Sequence, residues 1–180
     1  MKKFHARCWR LAFAVSAMAW VLGAPAQVPL TEIQAKTSAI FNFARYVEWP
    51  ERAFAFRDSP FVFCLAGRES LTSAAAGLEN RSLYGRTTQV RRVFGTEELR
   101  GCHVLFVGES EDRRLAPMLR AVASEPVLTV GDLAGFTDSG GAIGIVLEEG
   151  RIRFDINRIA LDQAQLKASS NLLRLARNAR

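Results

Sequence analysis

The chain is poor in the residues on which most small enzymes rely. It carries only two histidines and three cysteines in 180 residues. It has no Cys-x-x-Cys pair, no G-x-S-x-G elbow, no G-x-G-x-x-G turn and no Gly-Lys-Ser/Thr phosphate loop. These absences argue against dithiol redox catalysis, α/β-hydrolase chemistry and the common nucleotide folds. Long apolar runs are also missing. The longest, Leu11 to Leu22, is 12 residues, short of the roughly 20 that span a bilayer.

What is present at the N-terminus explains that run. Lys2, Lys3, Arg7 and Arg10 precede it, and Ala24-Pro25-Ala26 follows it as a small-x-small site. Residues 1–26 therefore read as an export signal cleaved near Ala26, which places residues 27–180 in the periplasm as one domain. ATP- and NAD(P)H-dependent chemistry is disfavoured in that compartment. Cleavage removes Cys8 and His5, leaving Cys64, Cys102 and one histidine, His103. It also removes four of the 24 basic residues and no acidic one, leaving 20 against 18 and a net charge of +2. The high isoelectric point thus belongs mainly to the signal, and no basic tract with interleaved aromatics points to nucleic acid.

The remaining pattern alternates helices with short apolar strands. Thr31 is placed to cap a helix running to about Tyr46, with Ile33, Ile40, Phe41, Ala44 and Val47 at helical spacing. Phe61 to Ala66 and Cys102 to Val107 read as buried strands, and Val127 to Val130 as a third. Thr88 to Phe94 is more polar and suits a strand near an edge. Leu71 to Leu78 and Glu111 to Ser124 read as helices, with a helical turn at Thr96 to Leu99 and another at Leu133 to Phe136. Ala142 to Leu147 and Arg151 to Asn157 form a hairpin whose Gly150 takes positive φ. Ala160 to Arg177 reads as one tail helix. The expected fold is α/β: three layers, a mostly parallel sheet of about five or six strands with flanking helices, and a C-terminal antiparallel hairpin strand.

Few residues in this frame suggest chemistry. In an oxidising compartment Cys64 and Cys102 favour a structural disulfide, provided the sheet brings their Cα atoms within about 7 Å. A metal site using both thiols and His103 is the alternative. His103 lacks a nucleophile partner and reads as a structural histidine at a strand end. Asp132 reads as an N-cap for the turn at 133–136. The carboxylates at Glu97/Glu98, Glu109/Glu111/Asp112 and Glu148/Glu149 read as solvated or as complements to helix dipoles. No cofactor is called for. The aromatics from Phe41 to Phe63 are too closely spaced to face one way, so some are covered by the tail helix or by a partner.

Several blocks together resemble the YfiR family. They are Lys36 to Pro50 (KTSAIFNFARYVEWP), Phe61 to Gly67, Gly101 to Gly108, Val127 to Asp132, Gly140 to Val146, Gly150 to Asn157 and Ser169 to Ala176. The resemblance implies a non-enzymatic periplasmic repressor, a dimer, without metal or cofactor. Its implied partner is the periplasmic sensor region of an inner-membrane diguanylate cyclase of the YfiN type, whose release raises cyclic di-GMP and favours biofilm. Cys64 and Cys102 then match the family's stabilising disulfide. The second cysteine pair found in some members has no counterpart in Asp132 to Ala142. Phe43, Tyr46, Trp49, Leu172 and Leu175 are the candidate partner contacts. A periplasmic small-molecule sensor is the competing expectation, with a ligand in the loops after Gly67, Gly108 and Gly131.

Overall fold

A computed structural model describes residues 31–67 and 71–180; the export segment, with Cys8 and His5, lies outside the described residues. Helix α1 (Glu32–Arg45) starts where the capping chemistry requires. The Thr31 hydroxyl accepts the Gln34 N–H at 3.3 Å and the Gln34 side chain accepts the Thr31 N–H at 3.0 Å, which satisfies two N–H groups that the helix itself leaves unpaired. The chain continues through β1 (Val47–Glu48), a 3-10 turn (Glu51–Ala53), β2 (Phe61–Ala66), α2 (Leu71–Leu78), β3 (Ser82–Leu83), β4 (Arg86–Arg92) and a 3-10 turn (Thr96–Leu99). Then come β5 (Val104–Val107), a 3-10 stretch (Glu109–Arg114), α3 (Leu115–Val122), β6 (Leu128–Gly131), β7 (Ile143–Glu148) and β8 (Arg151–Ile156). The C-terminal part holds α4 (Arg158–Gln163), β9 (Lys167–Ala168), α5 (Ser170–Leu175) and β10 (Asn178–Ala179).

The main sheet has the order β10-β8-β7-β6-β5-β2-β4-β3. From β4 to β7 the neighbours are parallel. The β7–β8 hairpin is antiparallel, as a two-residue connection demands. The two outermost strands are two residues each, so the six longer strands form the expected mostly parallel sheet. A helical layer covers each face. On one, Phe61, Phe63, Leu65, Val104, Phe106, Val130 and Ile143 pack in one cluster with Ile40 and Phe43 of α1, Leu161 of α4 and Leu172 of α5. On the other, Cys64, Ala66, Leu105 and Val107 meet Leu115, Met118 and Val122 of α3 and Phe136.

Four local expectations give way. The tail is two helices, because Gln165 turns to positive φ (56°), β9 then pairs antiparallel with β1, and the Ser169 hydroxyl caps α5 by accepting the Leu172 N–H. Helix α3 begins at Leu115 rather than Glu111. Pro117 has no N–H and crowds the carbonyl four residues back, so it is tolerated only in a first turn. The strand expected from Cys102 starts at Val104, with Cys102 and His103 leading into it. Residues 133–136 are turns rather than helix. Asp132 caps nothing there and instead holds Lys36 at 2.7 Å.

The ring of Phe136, 1% exposed, explains that turn. A Cβ on Gly131 would meet it at 2.4 Å and one on Gly141 at 2.1 Å. Two glycines therefore make the slot that a buried aromatic fills. Gly141→Ala is expected to lower stability by about 1–3 kcal/mol through overpacking, measured by urea unfolding. Unchanged stability would mean that the slot is not tight.

Candidate functional site

Strand pairing decides the cysteines. Cys64 lies in β2 opposite Leu105 of β5, and Cys102 lies two residues before that strand. Their Cα atoms are 5.7 Å apart and their sulfurs are bonded, within the range disulfides occupy. The two-thiol metal alternative falls with this bond. Both cysteines are buried, at 0% and 4% exposure. The bridge ties two central parallel strands together, where it constrains a long segment of the unfolded chain.

His103 is a clamp. Its Nδ1 accepts the Val62 N–H at 3.0 Å and its Nε2 faces the Ala53 carbonyl at 3.0 Å, so the proton sits on Nε2. The ring stacks on Phe54 at 4.5 Å and on Phe61 at 5.0 Å. Burial pushes its pKa down to about 4; the hydrogen bond to Ala53 opposes this, and the nearby charge of Arg86 reinforces it. With both nitrogens engaged by backbone, the imidazole has no free lone pair to offer a substrate. Glu111, expected to be solvated or to complement a helix dipole, is buried and ion-paired with Arg114.

Around this clamp runs an aromatic rim. Trp49 packs edge-on against Phe61 at 4.9 Å and lies 6.4 Å from Tyr84. Arg86 stands over the Phe54 ring at 3.8 Å and donates to the Phe56 and Ser59 carbonyls. The Tyr84 hydroxyl donates to the Val47 carbonyl at 2.7 Å, fixing β1 to the β3–β4 turn. A groove of about 670 Å³ opens between Trp49, Phe54, Phe56, Tyr84 and Arg86. Phe56 is 74% exposed, Tyr84 52% and Tyr46 43%.

The five residues expected to meet a partner separate accordingly. Tyr46 and Leu175 are exposed and Trp49 is half-buried on the groove wall. Phe43 and Leu172 are not at the surface: each is 3% exposed, and the Phe43 ring packs on Phe154 at 4.8 Å. Apolar side chains at helical spacing are what a core face needs, and here the core claims both. Tyr84 and Arg86, which line the groove, are not among the five. The signal available for them was the Tyr84-Gly85 pair, a turn between two polar strands whose tyrosine takes positive φ (53°).

A second, polar cleft of about 560 Å³ lies beyond the end of β6, lined by Glu109, Asp132, Asp138, Asp155, Arg177 and Arg180 among others. Both of its arginines are engaged, and Asp132 pairs with Lys36. Arg177 binds Asp155 at 2.6 Å and also pairs with Glu148, while Arg180 pairs with Asp138. The Arg177 guanidinium holds the Asp155 carboxyl below its ordinary range. The loop after Gly67, the third place expected to line a ligand cleft, lies largely outside the described residues.

The sequence model of one family, described as DUF4154, YfiR/HmsC-like, matches residues 33–177. No match was found among curated proteins. Among solved structures, one titled "Crystal structure of conserved domain protein" from Vibrio cholerae O1 biovar El Tor str. N16961 is similar, at 10% identity and a TM-score of 0.48. The similarity covers 66% of this chain and 54% of that one, so the chain spans about half the length of that protein.

Proposed function

The chain belongs to the YfiR/HmsC-like family, and from that premise we propose that it is a non-enzymatic periplasmic regulator of cyclic di-GMP signalling. In this reading it is exported by the segment ending near Ala26. It binds the periplasmic sensor region of an inner-membrane diguanylate cyclase and holds the enzyme inactive, which restrains biofilm formation. The observation that carries the reading is the family match itself, which runs from the first turn of α1 past the end of α5. Repression requires only that the protein prefer the inactive cyclase, since a ligand shifts an equilibrium by its differential affinity. A homodimer belongs to the same proposal, with Leu175, 68% exposed, as a candidate contact.

The aromatic rim supplies what a binding surface needs. Exposed aromatic side chains next to arginine are the usual anchors of protein interfaces. Phe56 on the groove and Tyr46, which lies outside the groove's lining, are both exposed and offer rings to a partner. The test is capture of the cyclase's periplasmic region by the purified protein. Tyr46→Ala with Phe56→Ala is expected to weaken capture at least tenfold, the order of an interface hot spot, with thermal stability close to the parent. Parent-like affinity would move the interface elsewhere, and failure of the parent protein to bind would remove the cyclase as partner.

One observation favours a small-molecule role beside this one. The polar cleft beyond β6 lies at the carboxyl ends of parallel strands, where open α/β sheets bind ligands. A ligand-dependent rise in Tm, lost in Asp155→Ala, would support it. The two readings are compatible where a ligand tunes partner affinity.

A further inference from the structure

Arg91 is the register partner of Cys64 on the neighbouring strand β4. Its side chain crosses to the disulfide. One guanidinium nitrogen lies 3.5 Å from the Cys64 sulfur and 3.4 Å from the Cys102 sulfur, and the same nitrogen donates to the Arg100 carbonyl at 2.7 Å. The residue is exposed, whereas both cysteines are buried. A fixed positive charge therefore reaches from solvent to both sulfur atoms and is held there by a backbone acceptor. We propose that Arg91 sets the reducibility of the Cys64–Cys102 bridge by stabilising the thiolates that form when it opens.

The argument is one of differential interaction. A disulfide sulfur is a weak, neutral acceptor, whereas a thiolate is charged, and its hydrogen bond to a guanidinium is charge-assisted and about twice as strong. Arg91 thus favours the reduced state over the oxidised one. Stabilising the reduced form makes a disulfide more oxidising, and a neighbouring arginine lowers a thiol's pKa. The reductant is a thiol, either a small molecule or the dithiol of an oxidoreductase. Its thiolate attacks the Cys102 sulfur and forms a mixed disulfide, and the electron pair of the broken bond leaves on Cys64. A second thiolate then attacks the mixed disulfide, leaves as the oxidised reductant and frees Cys102 as a thiolate. The two protons given up by the reductant go to solvent or to the new thiolates, according to pH. The inference goes beyond the partner proposed above and stands whether or not that partner is right.

The experiment equilibrates the protein purified from the periplasm in dithiothreitol redox buffers and counts free thiols by alkylation across pH. Arg91→Gln is expected to shift the balance about tenfold towards the disulfide, a fall of roughly 30 mV in reduction potential. The pH at which the potential changes slope, which reports thiol ionisation, is expected to rise in the same variant. Arg91→Lys, which keeps the charge, is expected to fall between Gln and the parent. A merely structural arginine would change stability but leave the break in slope in place. An unmoved break, or a potential equal to the parent's in both variants, would overturn the proposal. Should Arg91→Gln fail to fold, Arg91→Lys and the parent decide it, because they must then differ in the position of the break.

Discussion

Cys64→Ser/Cys102→Ser is expected to lose about 4 kcal/mol of folding stability, from the chain-entropy cost of a 38-residue loop. For a domain of this size that is a fall in Tm on the order of 10 °C. Burial bears on the loss too: both residues are under 5% exposed in a cluster with Ala66, Val93 and Leu105, with the Arg91 guanidinium as a polar neighbour of both sulfurs. A typical domain holds only about 5–15 kcal/mol in reserve, so one bond between β2 and β5 is a large fraction of the whole. Thermal unfolding of the variant, and of the parent with and without reductant, measures it. If the bridge couples envelope redox state to output, reductant should also release captured cyclase. Equal Tm in parent and variant would show that the bridge is ornamental and that no such coupling runs through stability.

How far the sequence alone reached follows from the physics of each element. The buried strand at Phe61–Ala66 was legible to the residue because a continuous β-branched and aromatic run between Pro60 and Gly67 has no competing reading. The start of α1 was legible because Thr31 is a favoured N-cap residue, and in the structure Gln34 completes a capping box with it. The tail reads as one helix in the sequence because Leu161, Leu166 and Leu172 keep helical spacing across a break that only tertiary pairing produces. β9 exists because β1 is there to bind it. Pro117 was the overlooked local signal, since it alone argues against a helix beginning at Glu111.

The site was legible in its chemistry and less so in its exposure. Cysteine count and compartment pointed to the bridge, and the sheet supplied the proximity. Which aromatics face solvent was not readable, because Phe43 and Tyr46 lie on one helix end and differ only in what the rest of the chain packs against them. Phe43 meets Phe154, 111 residues away in sequence, and is sealed; Tyr46 stays 43% exposed. Arg91 was invisible for the same reason. An arginine in a polar strand becomes notable only when the parallel register places it beside Cys64.

Acid should weaken this protein through His103. Its pKa is about 4 in the folded chain and about 6.5 when unfolded. Above pH 6.5 the ring is neutral in both states and contributes no pH dependence. Between pH 6.5 and about 4 the unfolded chain takes up a proton that the folded chain refuses, so stability falls as pH falls. Below about 4 both states are protonated and this contribution levels off. The full loss is about 3 kcal/mol. His103→Gln keeps an acceptor for the Val62 N–H and a donor for the Ala53 carbonyl but does not titrate. Its urea-unfolding stability is expected to be nearly flat from pH 6.5 to 5, where the parent already declines; a parent as flat as the variant would refute the assignment. The structural consequence is local before it is global. A protonated Nδ1 faces the Val62 N–H donor head-on, and the ring that joins Ala53, Phe54 and Phe61 must then shift. Phe54 forms one wall of the aromatic groove, so acid should disturb the proposed partner surface at a pH where the disulfide still holds the sheet together.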